Sequence, residues 1–382
     1  MENNKKTLGL EHPSTVEGVN KLVSTYCNRD QLEEAAKLLE QVLAIKNTNL
    51  GVDHPSTLTN ISNIARSYKD QGNWVEGLEF DLKDFEEKKL TFGPRHLSTL
   101  NDMDTIAASY SMLGRNEEEE SIMRQLVDLG EEVLSPTHKL LLGWEMRLAS
   151  AYRMQGKLDL AEELGREVFT TCQASFGTND PLTISSLDNL AIIYGEQGRW
   201  SDAEDLGKEA VRTSEIVYGE TARKTLGYMG SLCYIIRFQG RLEEAKDLGE
   251  KTIRRMEKAG MAGGLQMIIA MSDLAVTYRM LRLLPEAEAL SFRSSRFMED
   301  TLGKDSLLTI STMVELSLVY HLQNKLDAAK ELAETVLAQR ERILGKDHPA
   351  TVAALENLKK MSLPPVNSLE DRSETESMKV ME

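Results

Sequence analysis

The chain has 382 residues, 41% of them apolar, with a formal net charge of −16 and a pI near 5.0. That balance argues against sequence-independent nucleic-acid binding, which needs clustered Lys and Arg on phosphates, and disfavours an anionic membrane surface. Three cysteines without paired spacing (Cys27, Cys172, Cys233) and no apolar run of membrane-spanning length lead to the expectation of a cytoplasmic protein without a disulfide framework.

Residues 1–7 read as a short polar lead. From Leu8 the chain repeats itself every 42 residues: Gly9, Gly51, Gly93, Gly177, Gly219, Gly303 and Gly345 share one register. Gly72, Gly114, Gly156, Gly198 and Gly240 share a second, with Asp30, Arg282 and Asn324 at the same place elsewhere. A third ladder is aromatic, running from Tyr26 through Tyr194 to Tyr320, with Ile236 as its exception. Three ladders at one spacing predict a stacked solenoid.

Within a unit, Leu187, Leu190, Ala191 and Tyr194 recur at helical spacing and share a face. Gln197-Gly198-Arg199 ends that helix, since glycine takes the left-handed conformation of a C-terminus. Trp200, Ala203, Leu206 and Ala210 form the stripe of a second helix, which closes at Tyr218-Gly219. Ala191 and Ala203 let the two helices of a hairpin approach closely. The seventh unit is the least regular, with a glycine-rich loop at 259–264 and Pro285 in the first turn of its second helix. A helix near 349–361 reads as a cap on the stack, and 362–382, with Pro364-Pro365 and alternating charge, as a disordered tail.

The Leu-Ala-x-x-Tyr, Gly-Arg and Ala-Glu positions resemble the tetratricopeptide repeat. Leu50-Gly51-Val52-Asp53-His54-Pro55-Ser56-Thr57 and Leu344-Gly345-Lys346-Asp347-His348-Pro349-Ala350-Thr351 are similar to the loop of its kinesin light chain type. The resemblance covers about 8–361 and implies a right-handed superhelical α-solenoid of eight helix pairs plus a capping helix. It also implies a binding scaffold whose first helices line a concave groove.

Catalytic and metal chemistry find little support. His12, His54, His96, His138 and His348 occupy one loop position, repeated. Stacked helices lie roughly 8–10 Å apart, so such a row cannot converge on one ion, and a structural loop role is the expectation. Gly303-Lys304-Asp305-Ser306 lacks the phosphate-cradling pattern. No cofactor and no metal are expected.

By resemblance, the groove residues of the early units include Asn63, Arg66 and Lys69, a polar set. Those of the later units include Arg147, Arg153, Asn189, Tyr234, Arg237, Phe238, Asp273, Arg279 and His321, with Ile192, Val276, Met280, Leu318 and Leu322 among them. Variable, solvated groove side chains account for the early units. An exposed apolar strip in the later ones would mark binding. The asparagine that in kinesin light chains helps grip a cargo backbone stands here at Asn63, Asn189 and Asn357.

Two functions follow. In the first, a protein or peptide partner lies in the groove, with Arg147, Arg153, Arg237 and Arg279 on its carboxylates and Tyr234 and Phe238 as apolar anchors. In the second, a closed groove holds an apolar small molecule, with Asp273, Glu315 and His321 as acid–base groups for a cofactor-free cyclisation or rearrangement.

Overall fold

The two-helix unit sets the order of elements throughout. The computed structural model describes residues 55–70, 73–261, 263–346 and 348–361. These fold into fifteen α-helices, and among them there is no strand. The expected polar lead, the first hairpin with His12 and Cys27, His54 in the following loop, and the expected tail lie outside the described residues.

The chain divides into two units. The first runs to Pro136 and includes Thr301–Gly303; the second holds Thr137–Asp300 and everything from Lys304 onward. The first contains α1 (Pro55–Asp70), α2 (Trp74–Phe92), α3 (Leu97–Met112) and α4 (Asn116–Val133). In the second follow α5 (Lys139–Met154), α6 (Leu158–Phe176), α7 (Pro181–Glu196), α8 (Trp200–Tyr218), α9 (Arg223–Phe238) and α10 (Leu242–Lys258). Then come α11 (Leu265–Met280), α12 (Leu284–Leu302), α13 (Leu307–Leu322), α14 (Leu326–Leu344) and α15 (Pro349–Met361). Odd-numbered helices are the first of each hairpin and even-numbered ones the second. Within the second unit α5, α7, α9, α11 and α13 also touch in succession.

The loop position that carries the histidine row is a helix cap. His96, His138 and His348 each accept through Nδ1 from the main-chain N–H two residues on, at 3.2 Å, and so satisfy one orphan donor of α3, α5 and α15. Asp180 performs the same task for α7, accepting from Leu182 N–H at 2.9 Å. Pro181 and Pro349 follow as first helical residues, where a missing N–H costs nothing.

At the hairpin turn, Gly198 sits at φ +79° and Arg199 N–H reaches back to the Tyr194 carbonyl at 2.9 Å, closing the helix end. Arg282 and Asn324 occupy that same turn position at φ +62° without being glycine.

Packing between hairpins is close where side chains are small. Leu190, Ala191, Tyr194, Ala203 and Ile235 form one buried cluster. Gly165, Gly207 and Gly249 recur on α6, α8 and α10. A Cβ at these positions would stand 3.2, 3.2 and 3.1 Å from Ile193, Leu232 and Leu274 of the next first helix.

A polar clamp joins neighbouring hairpins. Gln197 Nε2 donates to Glu162 Oε2 at 2.7 Å, and Arg199 Nη1 to Glu162 Oε1 at 2.9 Å. One repeat on, Gln239 and Arg241 hold Glu204 at 2.9 and 2.7 Å, and Gln239 also donates to the Trp200 carbonyl at 3.0 Å. Gln323 and Lys325 hold Glu288 at 2.8 and 2.7 Å. The Gly-Arg and Ala-Glu signatures are therefore two ends of one interaction. Burial pushes the Glu204 carboxyl up, but hydrogen bonds from Lys208, Arg241 and Gln239 outweigh it and hold the group at about 2.

Two outcomes are expected. Glu204→Ala lowers stability by about 2 kcal/mol, because hydrogen bonds to a charged group are lost while their donors stay partly enclosed. Since the folded value lies below the ordinary carboxylate 4.5, the Glu204 contribution is complete above that pH and disappears as pH falls towards 2. Urea titrations of wild type and variant across that range would converge at the acid end. Arg282→Gly raises stability by about 1 kcal/mol, relief of a left-handed L-residue offset in part by unfolded-state entropy; thermal unfolding of the full chain reads this.

Candidate functional site

On the first-helix side of the second unit, α5, α7, α9 and α11, together with the starts of α6 and α8 and Met256 of α10, line an open-sided cavity of about 680 Å³. Its wall is aromatic. Trp200 stacks on Phe238 with ring centroids 5.5 Å apart and planes 9° apart, and Tyr234 lies 4.6 Å from Phe238, tilted. Ile192, Met154, Ile269 and Ala270 extend the apolar surface, and Met154 and Ile269 are exposed, at 42% and 40%.

The floor is α9, which presents Gly227 and Gly230 to the cavity. Nothing lies within 4 Å of where a Gly230 Cβ would stand. Both glycines are helical, so the reason for them is space rather than backbone conformation. Gly227, Gly230, Ser231, Tyr234 and Phe238 follow one another at helical spacing and so form a single stripe.

Charged groups on this face are mostly engaged with each other. Arg153 of α5 pairs with Glu196 of α7. Arg237 is 2% exposed. It donates through Nη1 to the Asp273 main-chain carbonyl at 3.0 Å, beside the rings of Tyr234 and Phe238. Arg279 occupies the same register one repeat later, and it is also buried. Its Nε donates to Glu315 Oε1 at 2.7 Å, side chain to side chain. Asn189 Nδ2 donates to Ser150 Oγ at 2.6 Å, and Ser231 Oγ to Asp188 Oδ2 at 3.1 Å. Arg147 lies half-buried on α5.

The carboxylates beside the cavity are less well served. Burial pushes the Asp188 carboxyl up to about 7 against the pull of its Ser231 hydrogen bond, and its Oδ1 is enclosed without a partner. Burial also raises Asp273, opposed by the nearby Arg237 charge. Asp273 lines the cavity; Glu315 and His321 do not. His321 Nδ1 is enclosed without a partner, and burial lowers the pKa of this imidazole. Among the described residues no group of three or more His, Cys, Asp and Glu is placed to hold a metal. The thiols of Cys172 and Cys233 are buried and pushed up to about 11, chiefly by burial, which suppresses the reactive thiolate.

The early groove residues lie apart, in the first unit. Asn63 accepts from Arg66 on α1 itself at 3.1 Å. Lys69 pairs with Asp81 of α2 at 2.8 Å, and Ser109 of α3 donates to the same carboxylate at 3.1 Å. Nearby, Lys88 bridges Asp84 at 3.0 Å and Asp102 at 2.7 Å. Burial pushes Asp102 up to about 6 despite the Lys88 hydrogen bond, with the Asp84 charge adding to the rise. These contacts join α1, α2 and α3 into a packed polar seam.

Of the residues named from sequence, Arg153, Ile192, Tyr234, Phe238 and Asp273 come together at the cavity. Gly227, Gly230, Trp200 and Gln266 complete it and were not named for that role. Their signal was the inward stripe itself: carried one helical turn back from Ser231 and Tyr234, it reaches Gly227 and Gly230.

Comparison with known proteins places these hairpins. A tetratricopeptide-repeat model matches residues 140–215, and a second tetratricopeptide-repeat model matches 19–56 and 309–350. No curated protein matches the chain. Among solved structures, the apo form of the quorum sensor NprR from B. thuringiensis superposes with a TM-score of 0.55 at 15% identity. That match covers 84% of this chain and 87% of the other. The apo form of RapI gives 0.54 at 12% identity, over 76% of this chain and 99% of that one. A Podosopora anserina putative kinesin light chain with nearly identical TPR-like repeats is 27% identical. Its TM-score is 0.49, over 54% of this chain and 97% of that one. The first two matches carry the fold alone. Among the described residues no helix is long and apolar enough to cross a membrane.

Glu315→Ala should be costly, since it removes the carboxylate from a buried ion pair; a loss of about 3–5 kcal/mol is expected. Replacing both partners together, Arg279→Met with Glu315→Leu, should recover most of it. Chemical denaturation of the three chains measures the difference.

Proposed function

We propose that this chain, whose hairpins match tetratricopeptide-repeat models over 140–215 and over 19–56 and 309–350, is a protein-interaction module whose second unit holds a segment of a partner protein. The seat is the cavity formed by α5, α7, α9 and α11. One observation carries this reading: a half-exposed aromatic wall stands over a glycine floor, with 680 Å³ between them. A hairpin stack has no internal need of that arrangement. Interior side chains close-pack, and a glycine inside a helix costs about 0.5–1 kcal/mol relative to alanine. Gly227 and Gly230 leave room where a partner's main chain can approach. Trp200, Tyr234 and Phe238 offer large, rigid area at little entropic cost, as aromatic anchors do at interfaces.

The arginines enter this reading differently from one another. Arg237 and Arg279 hold one repeat to the next, and Arg153 is matched by Glu196. Recognition on this face therefore rests on the aromatic wall and on the acceptors beside it. The buried, undissociated thiols suit a reducing compartment, and a cytoplasmic site is part of the proposal.

Gly230 separates binding from folding. Gly230→Ala should bind as wild type and gain up to about 1 kcal/mol of stability from helix propensity. Gly230→Trp should fill the cavity, fold, and lose binding. Selection of a displayed random-sequence peptide library on the immobilised full chain checks this. Peptides enriched equally on wild type and Gly230→Trp would place the binding surface elsewhere.

A further inference from the structure

We propose that the cavity takes a peptide segment in which a lysine or arginine stands next to an apolar side chain. The cationic head meets the Asp273 carboxylate, and the apolar neighbour lies on the Trp200–Phe238–Tyr234 wall. This rests on the peptide-binding reading above and names the chemistry of the occupant.

The charge of the lining decides the sign. Three charged residues line the cavity: Arg153, Glu196 and Asp273. Arg153 and Glu196 neutralise one another, so Asp273 is the remaining charge of the lining, with the buried Arg237 behind it. Among the described residues no hydrogen-bond donor reaches its carboxylate. Arg237 lies close enough to pull on it electrostatically, and its Nη1 donates to the Asp273 main-chain carbonyl. The next repeat shows what a longer side chain does in the same register. There Glu315 has one more methylene and meets Arg279 directly at 2.7 Å. Aspartate is too short for that contact, so its carboxylate is left for an occupant.

Two further acceptors point the same way. Gln266 lines the cavity; its Nε2 is engaged by the Arg223 carbonyl at 2.9 Å, and its Oε1 is enclosed without a partner. Asp188 Oδ1, behind the cavity-lining Ser231, is likewise enclosed and unpartnered. Buried acceptors without donors are costly, so small side-chain shifts that open these oxygens to the N–H groups of an occupant are favoured. A peptide supplies such groups from its main chain, which can lie over Gly227 and Gly230. A cationic side chain adds its own donors and is further attracted by the faces of Trp200 and Phe238. An acidic segment would meet Asp273 in a chain already at −16, with a like-charge penalty that a half-buried site enlarges.

The test uses the full chain and a displayed random-sequence peptide library, followed by anisotropy with the best selected peptide made synthetically and labelled. Peptides enriched on wild type but lost on Gly230→Trp should carry Lys or Arg beside an aliphatic or aromatic residue. Asp273→Asn, near-isosteric at a site where burial already disfavours the charge, should fold as wild type by circular dichroism. It should weaken the selected peptide about tenfold, equivalent to about 1.4 kcal/mol. Changing the peptide's basic residue to Met should cost a similar factor on wild type and little on Asp273→Asn. Cavity-dependent peptides that are acidic or uncharged, or equal affinity on Asp273→Asn, would overturn the charge assignment while leaving peptide binding standing. If no peptide is enriched in a Gly230→Trp-sensitive way, the peptide reading itself fails.

Discussion

The contact on which the array depends is the grip of one hairpin turn on the second helix of the hairpin before it. A glutamate near the start of that helix receives an amide from Gln and a cation from Arg or Lys, as at Glu162, Glu204 and Glu288. A two-helix unit cannot bury its apolar stripe alone, and stacking is what completes its core. Apolar contact by itself tolerates sliding and rotation, whereas hydrogen bonds to a charged group do not. The clamp thus fixes how far each first helix turns relative to its neighbour. That rotation decides which stripe looks inward, and on α9 it is the stripe with Gly230, Tyr234 and Phe238.

Side-chain reach then divides structural charge from available charge. The inward faces of α9 and α11 each carry a buried arginine in the same register, and each arginine contacts the next first helix. Buried guanidinium is expensive to leave alone and tolerable when hydrogen-bonded. Arg279 finds a carboxylate, whereas Arg237 finds a main-chain carbonyl and two aromatic rings. A difference of one methylene between Asp273 and Glu315 separates a closed ion pair from a carboxylate that lines a cavity.

The period, the hairpin and its turn were legible because each is written in local residues. Glycine at the left-handed turn, alanine at the helix crossing and the aromatic ladder all recur at one spacing, and the fold repeats with them. The histidine row was legible as a loop feature, and its geometry shows why: the imidazole caps the following helix. The cavity was legible only in part. Tyr234, Phe238 and Asp273 stand at positions that first helices turn inward. Gly227 and Gly230 carry no side chain, so a reading that looks for binding groups passes over them. The engagement of Arg237 and Arg279 could not be read at all. It depends on contacts between residues 36 apart in the chain, and on whether the acid opposite is Asp or Glu.

Two junctions among the described residues depart from the clamp, one at Leu78, Leu113 and Arg115 in the first unit and one that borders the site. Where the pattern calls for Glu, Gln and Arg, the seventh unit and its predecessor have Lys246, Leu281 and Leu283. All three positions change together. In the first unit only the arginine of the set is kept, and Arg115 turns to Glu118 on its own helix; beside the site no member of the set is kept. Leu281 and Leu283 are half-buried instead, and Lys246 turns to Glu243 on its own helix. The hold between these hairpins therefore falls to apolar packing, with Gly249 drawn tight against Leu274, and to the Arg237 bond to Asp273. That bond crosses between the two helices that shape the cavity floor and its acidic side. The arginine that replaces the missing clamp is thus the same one that sets Asp273 in place, which ties the integrity of the stack at this point to the geometry of the site.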